Sequence, residues 1–277
     1  MPGTTLDALL KRDRIIIIAS LAAMTLLAWA YLLSLSDTMA AGEEPMRSMD
    51  GMPGTDMPGM PEAMLAPHVW SPGEALLVFA MWSVMMVGMM LPSAAPMILL
   101  YARVGRHAAS QGAPFAATGV FGSGYAAAWF VFSLVATAGQ WRLERGLLLT
   151  PMLESASGLF SGMLLLFAGL YQWTPLKHAC LSKCRAPLAF IQSEGGFRRE
   201  PWGAFRMGLR HGLYCVGCCW PLMALLFVGG VMNILWIAGL AIFVLAEKVM
   251  PGGQRLSQAA GAILVAVGSW LIVRGLF

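Results

Sequence analysis

The sequence predicts an all-α fold: a polytopic membrane bundle of about seven transmembrane helices with the N-terminus in the cytoplasm. Three observations support this prediction: the apolar composition, the length of the apolar stretches, and the distribution of Lys and Arg between them. Fifty-eight per cent of the 277 residues are hydrophobic and only 12% are charged, whereas about a quarter of the residues in soluble domains are charged. So few charges cannot cover a water-soluble surface, and the composition therefore argues against a soluble enzyme.

Seven apolar stretches approach the length that a helix needs to cross a hydrocarbon core of about 30 Å. They are residues 15–35, 75–101, 115–138, 156–173, 207–228, 231–246 and 259–273. The fourth and the sixth are the shortest. The first is too long for the apolar region of a signal peptide and lacks a convincing cleavage site, so we interpret it as a retained helix.

The orientation follows from the positive charges in the loops. Of the 18 Lys and Arg residues, 14 fall on one side of a seven-helix arrangement and four on the other. Short cytoplasmic loops carry an excess of positive charge, so the N-terminus is expected inside and the C-terminus outside. The formal net charge of +4 reflects this sidedness and gives no reason to expect nucleic acid as a partner.

Three regions follow from this topology. Residues 1–35 form an N-terminal tail and the first transmembrane helix, residues 36–74 a flexible Met-rich extracytoplasmic loop, and residues 75–277 a six-helix metal-binding membrane domain. The loop is rich in Gly and Pro and carries seven acidic residues against one Arg. Such a composition cannot bury a hydrophobic core.

Methionine is concentrated in the loop and in the helix that follows it. Thirteen of the 21 Met residues lie between positions 39 and 97. The candidate ligands in the loop are Met49, Met52, Met57 and Met60. Thioethers are soft, neutral ligands that favour Cu(I) over Zn, Mg or Ca. The alternative is a low-complexity spacer, but exposed Met in a Gly/Pro-rich spacer has no packing role, so we favour metal capture.

The second apolar stretch carries six further Met residues, here named the Met row. They are Met81, Met85, Met86, Met89, Met90 and Met97. At 100° per residue they occupy about half of the helix circumference. Such a row offers successive two- or three-sulfur sites, and several weak sites in series are what conduction requires. Pro92 and Pro96 are expected to break or kink the helix. The alternative is that these Met side chains only fill gaps between helices.

The five Cys residues fall into two groups. His211, Cys215, Cys218 and Cys219 share one helix face about 100° wide, and Cys180 and Cys184 are spaced i, i+4. Four interpretations stay open. They are a Cu(I) thiolate site, a tetrahedral zinc site of Cys180, Cys184, Cys215 and Cys218, a thiol–disulfide relay through Cys215 and Cys218, and plain packing of small buried residues between helices.

Several signals are absent from the sequence. It contains no P-loop, no Gly-rich nucleotide fingerprint and no motif of a metalloprotease or a serine hydrolase. We therefore expect a protein that is not an enzyme and has no nucleotide partner. Glu247 and Lys248 adjoin near the inner end of the sixth stretch. One alternative is a buried Glu247, and the commoner one is a pair that snorkels toward the membrane surface.

Three motifs resemble one protein family. They begin at Met81, Tyr171 and His211, and read Met-Trp-Ser-Val-Met-Met-x-x-Met-Met-Leu-Pro-Ser, Tyr-Gln-x-x-Pro-Leu-Lys-x-x-Cys-Leu-x-x-Cys-Arg and His-Gly-x-Tyr-Cys-x-Gly-Cys-Cys-Trp-x-Leu-Met. They are similar to a large uncharacterised bacterial family of predicted metal-binding integral membrane proteins, over roughly residues 75–277. The resemblance implies a multi-pass protein of the bacterial inner membrane that binds metal, without specifying the metal, the direction or the mechanism.

The functional hypothesis is a membrane protein that handles copper(I), for uptake or delivery across the inner membrane. The Met-rich loop captures copper, the Met row carries it, and the site at His211, Cys215, Cys218 and Cys219 receives it before Cys180 and Cys184 pass it on. The partners are then the lipid bilayer, the metal ion, and a copper chaperone or a membrane cuproenzyme. The alternatives are a membrane thiol–disulfide redox protein, and a zinc- or copper-stabilised assembly factor or subunit without transport activity.

Overall fold

The computed structural model consists of helices joined by short connections. It describes residues 3–50, 70–110, 116–150, 153, 155–197 and 200–276, with side chains from residue 15 onward apart from 39–50, 109, 110 and 276. Within these residues there is no β-strand, and a single antiparallel bridge joins Leu149 to Ser155. The predicted all-α class is confirmed.

Ten helices occur in the described chain. They are α1 (Gly3–Asp50), α2 (Pro72–Ser110), α3 (Thr118–Arg145), α4 (Gly158–Tyr171), α5 (Pro175–Arg185), α6 (Pro187–Ser193), α7 (Pro201–Ala224), α8 (Leu226–Gly229), α9 (Ile234–Val249) and α10 (Gly253–Leu276).

Five helical segments are long and apolar enough to cross a membrane, in α1, α2, α3, α7–α8 and α10. The count rises to six if α4 and α5, which meet at a bend of 65°, form one broken span. The two shortest predicted stretches account for the difference from seven. The helix α4 has only 14 residues and α9 only 16, and at about 1.5 Å per residue neither alone reaches across about 30 Å.

Two helices continue further than the sequence predicted. The first was expected to end near residue 35, but α1 runs to Asp50, so the first part of the predicted flexible loop is helical. The helix α2 runs without interruption through Pro92 and Pro96, so of the two expected outcomes, a break or a kink, the break does not occur. Each proline lacks an N–H, which leaves a carbonyl one turn earlier without its helical donor.

Apolar side chains cover the outside of the bundle as well as its core. Leu77, Val135, Leu235 and Ile263 are each more than 60% exposed. Exposed apolar faces of this extent are typical of surfaces that meet lipid or another protein. The buried interior, in contrast, contains the Met row and most of the Cys residues.

Close packing of α3 against α7 brings the functional residues together. A Cβ atom at Gly208 would overlap the carbonyl oxygen of Phe121, and one at Gly124 would overlap that of Phe205. Only glycine allows two helix backbones to approach so closely. This contact holds Tyr125 of α3 beside Cys215 of α7.

A buried ionic network ties α5 to α9 and α10. Lys177 donates hydrogen bonds to both carboxylate oxygens of Glu247, at 2.8 and 3.1 Å, and to Gln172. Ser257 donates to the same Gln172 oxygen at 2.8 Å. Both members of the ion pair are almost fully buried. Buried charges are tolerated only when they are paired in this way, so the network fixes the C-terminal end of α9 against α5.

Candidate functional site

Three thiols of α7 form the centre of the candidate site. Cys215, Cys218 and Cys219 are at most 2% exposed, so the shared face that their spacing predicts faces the protein interior. The Cys218 and Cys219 thiols each donate to the backbone carbonyl of Cys215, at 3.1 and 3.0 Å. All five Cys residues of the chain are free thiols.

A proline explains how α5 comes to lie against this part of α7. Pro221 has no N–H and leaves the carbonyl of Gly217 without its helical partner. The Tyr171 hydroxyl donates to that carbonyl at 2.5 Å. A Cβ atom at Gly217 would lie only 2.8 Å from the Cys180 sulfur. The freed carbonyl and the missing side chain therefore let the end of α4 and the middle of α5 pack directly onto α7.

The helix α5 brings its two Cys residues to the α7 thiols. Thr174 caps the helix by accepting from the Lys177 N–H, and Pro175 occupies a first-turn position where no N–H is needed. Cys180 packs against Gly217, and Cys184 lies close enough to Cys215 and Cys218 for its thiol to interact with both. The two predicted Cys groups thus meet at one place in the fold instead of forming separate sites.

The Met row meets the thiols through Met90. Its sulfur lies 4.0 Å from the sulfur of Cys219. Metal–sulfur bonds of about 2.3 Å place two ligand sulfurs about 3.8 Å apart in a tetrahedral site and about 4.6 Å apart in a linear one. The observed separation fits two sulfurs that share one ion. We name Met90, Cys184, Cys215, Cys218 and Cys219 the sulfur cluster.

Two polar residues contact Cys215, and a third contacts one of them; the sequence analysis placed none of the three at the site. Lys248 of α9 donates to the Cys215 sulfur at 2.9 Å and to Ser93 Oγ at 3.0 Å. The Tyr125 hydroxyl lies 3.2 Å from the same sulfur and donates to the Met90 carbonyl at 3.1 Å. These residues come from α2, α3 and α9, so no local sequence motif could have connected them to Cys215.

His211 lies one helical turn before Cys215 and is buried. Its ring packs among those of Phe190, Tyr125 and Phe121, with centroid separations of 5.2, 5.9 and 6.2 Å. Its Nδ1 atom has no hydrogen-bond partner among the described residues. An unpaired buried nitrogen is costly, and neutral imidazole is a common metal ligand. His211 therefore fits the predicted role of an additional ligand near the cluster.

All six residues of the Met row are buried, the most exposed at 5%. From Met81 to Met97 the row extends about 24 Å along the helix axis, at about 1.5 Å per residue. The shared face that the sequence predicts therefore lines the inside of the bundle instead of facing outward. Buried Met also packs well without any metal, so burial alone does not assign a role to each sulfur.

A preformed tetrahedral site is not found. Among the described residues, no three His, Cys, Asp or Glu side chains are arranged as ligands of one metal ion. Neither the predicted site of His211, Cys215, Cys218 and Cys219 nor the zinc alternative of Cys180, Cys184, Cys215 and Cys218 therefore has three such ligands in place in the described part of the chain. The contacts that do occur suit an ion that accepts two or three sulfurs, one of them a thioether.

The side chains of the candidate ligands before α2 lie outside the described residues. Met49 lies in the last turn of α1, and its side chain is outside the described residues. Met52, Met57 and Met60 also fall outside the part of the chain that the structure describes.

The helices that carry these sulfurs match a known protein family. Residues 79–271 fit the PpoB2 family, which is described as a copper chaperone. The chain belongs to this copper chaperone family. The match covers well over half of the sequence and confirms the metal-related family that the three motifs resemble. No curated protein and no solved structure matches the chain.

The part of the chain that matches the copper chaperone family contains the whole site. It begins shortly before Met81 and includes the Met row, all five Cys residues, His211 and Lys248. The family description is consistent with the copper that the soft ligands predict. The helix α1 and the segment that follows it lie outside the match.

Proposed function

We propose that this protein is a non-enzymatic membrane protein that binds copper as Cu(I) and passes it from the Met row to the sulfur cluster. The observation that carries the proposal is the buried contact between Met90 and Cys219, with sulfurs 4.0 Å apart. There the neutral thioethers of α2 meet the thiols of α7. Membership of the copper chaperone family supports the choice of metal.

The ligand types favour Cu(I) and give the transfer a direction. Soft thioether and thiolate ligands select Cu(I), whereas carboxylates and water suit Mg, Ca and Mn. A thioether is neutral, but a Cys ligand binds as the anionic thiolate. The affinity for a cation therefore rises from the Met row to the sulfur cluster, and the ion moves toward the cluster.

The surroundings of the site fit transfer within a membrane. The exposed apolar side chains on the outer helices suit contact with lipid, and the Met row runs through the interior of the bundle. We propose a multi-pass protein of the bacterial inner membrane. The Met-rich segment before α2 collects the ion, and a copper chaperone or a membrane cuproenzyme receives it.

A second candidate is a thiol–disulfide redox protein. The observation in its favour is Lys248, whose ammonium group beside Cys215 stabilises a reactive thiolate. However, exchange requires access for an attacking partner, and Cys215 and Cys218 are at most 2% exposed. A bare metal ion can reach such buried thiols more easily than the disulfide of a partner protein can. Trapping a mixed disulfide with a partner at Cys215 or Cys218 would favour the redox candidate.

Transport along the Met row is tested by Cu(I) flux into liposomes that contain the purified protein and an enclosed sulfur chelator. The Met85→Leu/Met89→Leu variant keeps side-chain volume and apolarity and removes two sulfurs from the middle of the row. We expect its flux to fall strongly. The matched control is Met207→Leu/Met223→Leu, which changes two buried Met residues of α7 and should transport normally. Equal flux in the two variants would contradict transport along the Met row. If wild type binds Cu(I) but gives no flux, the protein is a chaperone or subunit that does not transport.

A further inference from the structure

Lys248 is a buried lysine with an unusual partner. The residue is 8% exposed, and its ammonium group contacts the Cys215 sulfur and Ser93 Oγ. Within the described residues, no carboxylate pairs with it. A buried ammonium group needs an opposite charge close by. The group best placed to supply that charge is the sulfur of Cys215, 2.9 Å away.

The adjacent acid does not neutralise Lys248. Glu247 precedes it in α9, but consecutive residues on a helix point about 100° apart. Glu247 instead pairs with Lys177 of α5, at 2.8 Å. Two oppositely charged neighbours in sequence thus serve different partners, and Lys248 contributes one full positive charge beside the sulfur cluster.

We propose that Lys248 makes the sulfur cluster selective for monovalent soft cations over divalent ones. The inference rests on the proposed function and adds its charge selectivity. A monovalent ion bound by two thiolates and a thioether leaves a group with one negative charge, which the Lys248 ammonium balances. A divalent ion with the same ligands forms a neutral group, so the ammonium charge stays uncompensated in a buried site. Uncompensated buried charge is strongly unfavourable.

The position of Lys248 is fixed well enough for this role. Ser93 of α2 accepts a hydrogen bond from the ammonium group at 3.0 Å, while the Lys177 pair holds the preceding residue of α9 against α5. The Tyr125 hydroxyl lies 3.2 Å from the Cys215 sulfur that Lys248 contacts. The charge is therefore held beside Cys215 and does not reach solvent.

The test is competitive metal loading of the purified, reduced full-length protein. Wild type is incubated with equal concentrations of Ag(I), as a stable substitute for Cu(I), and Cd(II), and the bound ratio is measured by mass spectrometry. Lys248→Gln removes the charge but keeps a polar side chain, and we expect the Ag/Cd ratio to fall by at least about tenfold. Lys248→Arg keeps the charge and should retain the wild-type ratio.

Two further variants separate charge from folding. Arg145→Gln removes a positive charge that lies over the Trp141 ring in the last turn of α3, twenty residues beyond Tyr125, and should leave the ratio unchanged. Ser93→Asp keeps Lys248 and places a carboxylate beside its ammonium group, so the ratio should fall as it does in Lys248→Gln. Ser93→Asp therefore tests whether the Lys248 charge sets the selectivity, even if Lys248→Gln does not fold.

The outcomes distinguish this inference from the proposed function. A ratio that falls in Lys248→Gln or Ser93→Asp, and is retained in Lys248→Arg, supports charge selectivity. An unchanged ratio in both neutralised variants, or an equal fall in Lys248→Arg, overturns it while copper binding stands. Wild-type protein that binds neither Ag(I) nor Cu(I) overturns the proposed function itself.

Discussion

The Met90 sulfur of α2 lies 4.0 Å from the Cys219 sulfur of α7, at the point where the Met row meets the buried thiols. The two residues are 129 positions apart in the chain. Their contact joins two ligand sets that are separate in the sequence, one neutral and one that becomes anionic on binding. In the proposed function, this contact makes the Met row and the thiols one path that ends at the thiols.

Replacing Met90 by Leu should weaken Cu(I) binding without unfolding the protein. The change preserves volume and costs less than about 1.5 kcal/mol in folding stability, but it removes one sulfur ligand. We expect affinity to fall at least about tenfold, since even residues behind metal ligands contribute ten- to hundredfold. Titration against a competing Cu(I) chelator measures this. Met223→Leu, in a buried residue of α7, is the control, and an equal loss there contradicts a ligand role for Met90.

Cys184 and Cys180 should differ in their effects although both lie in α5. Cys184 lies close enough to Cys215 and Cys218 for its thiol to interact with both, whereas Cys180 packs against the Gly217 backbone. Cys184→Ala should therefore reduce the number of sulfur ligands per bound copper, and Cys180→Ala should preserve it. X-ray absorption on the copper-loaded proteins counts these ligands. Two copper ions per wild-type chain, one lost with each Cys, would instead indicate two separate sites.

Gly217→Ala should destabilise the protein and disturb the site. The new methyl group would lie 2.8 Å from the Cys180 sulfur, so α5 must shift, at a cost of about 1–3 kcal/mol. Gly239→Ala is the matched control, because it lies in α9 with nothing within 4 Å of the added atom. Unfolding temperatures in detergent compare the two. Equal stability of the two variants would contradict the close packing of α5 on α7.

Breaking the buried ion pair should cost far more than breaking an exposed one. Lys177→Met leaves Glu247 buried without its partner, which destabilises by about 3–5 kcal/mol. Arg210→Met breaks the partly exposed pair with Glu194 and should cost at most about 1 kcal/mol. The double change Lys177→Met/Glu247→Met removes both buried charges and should recover most of the loss. A double variant as unstable as Lys177→Met would show that the unpaired charge of Glu247 does not cause the destabilisation.

The sequence was sufficient to predict the helical class and the inward faces. The spacing of Cys215, Cys218 and Cys219 placed them on one side of a helix, and the structure buries all three. The Met row was predicted in the same way. Such patterns are local, because side chains three or four residues apart share a face whatever the rest of the fold does.

Long-range features could not be predicted. The adjacent Glu247 and Lys248 indicated a snorkelling pair, but both are buried and each pairs with a different helix. The contact of Tyr125 with Cys215 depends on the glycines that join α3 to α7. One signal was available: Pro221 frees the Gly217 carbonyl, which predicts a donor from another helix, but the sequence does not identify Tyr171.

Whether the buried thiols hold Cu(I) is tested by the metal content of the purified, reduced protein, measured by mass spectrometry and combined with X-ray absorption. Wild type is compared with Cys215→Ser/Cys218→Ser. We expect copper as Cu(I) with sulfur ligands in wild type, and a large loss of copper in the variant. Stoichiometric zinc with four sulfur ligands, or copper content that is the same in both proteins, would contradict this expectation.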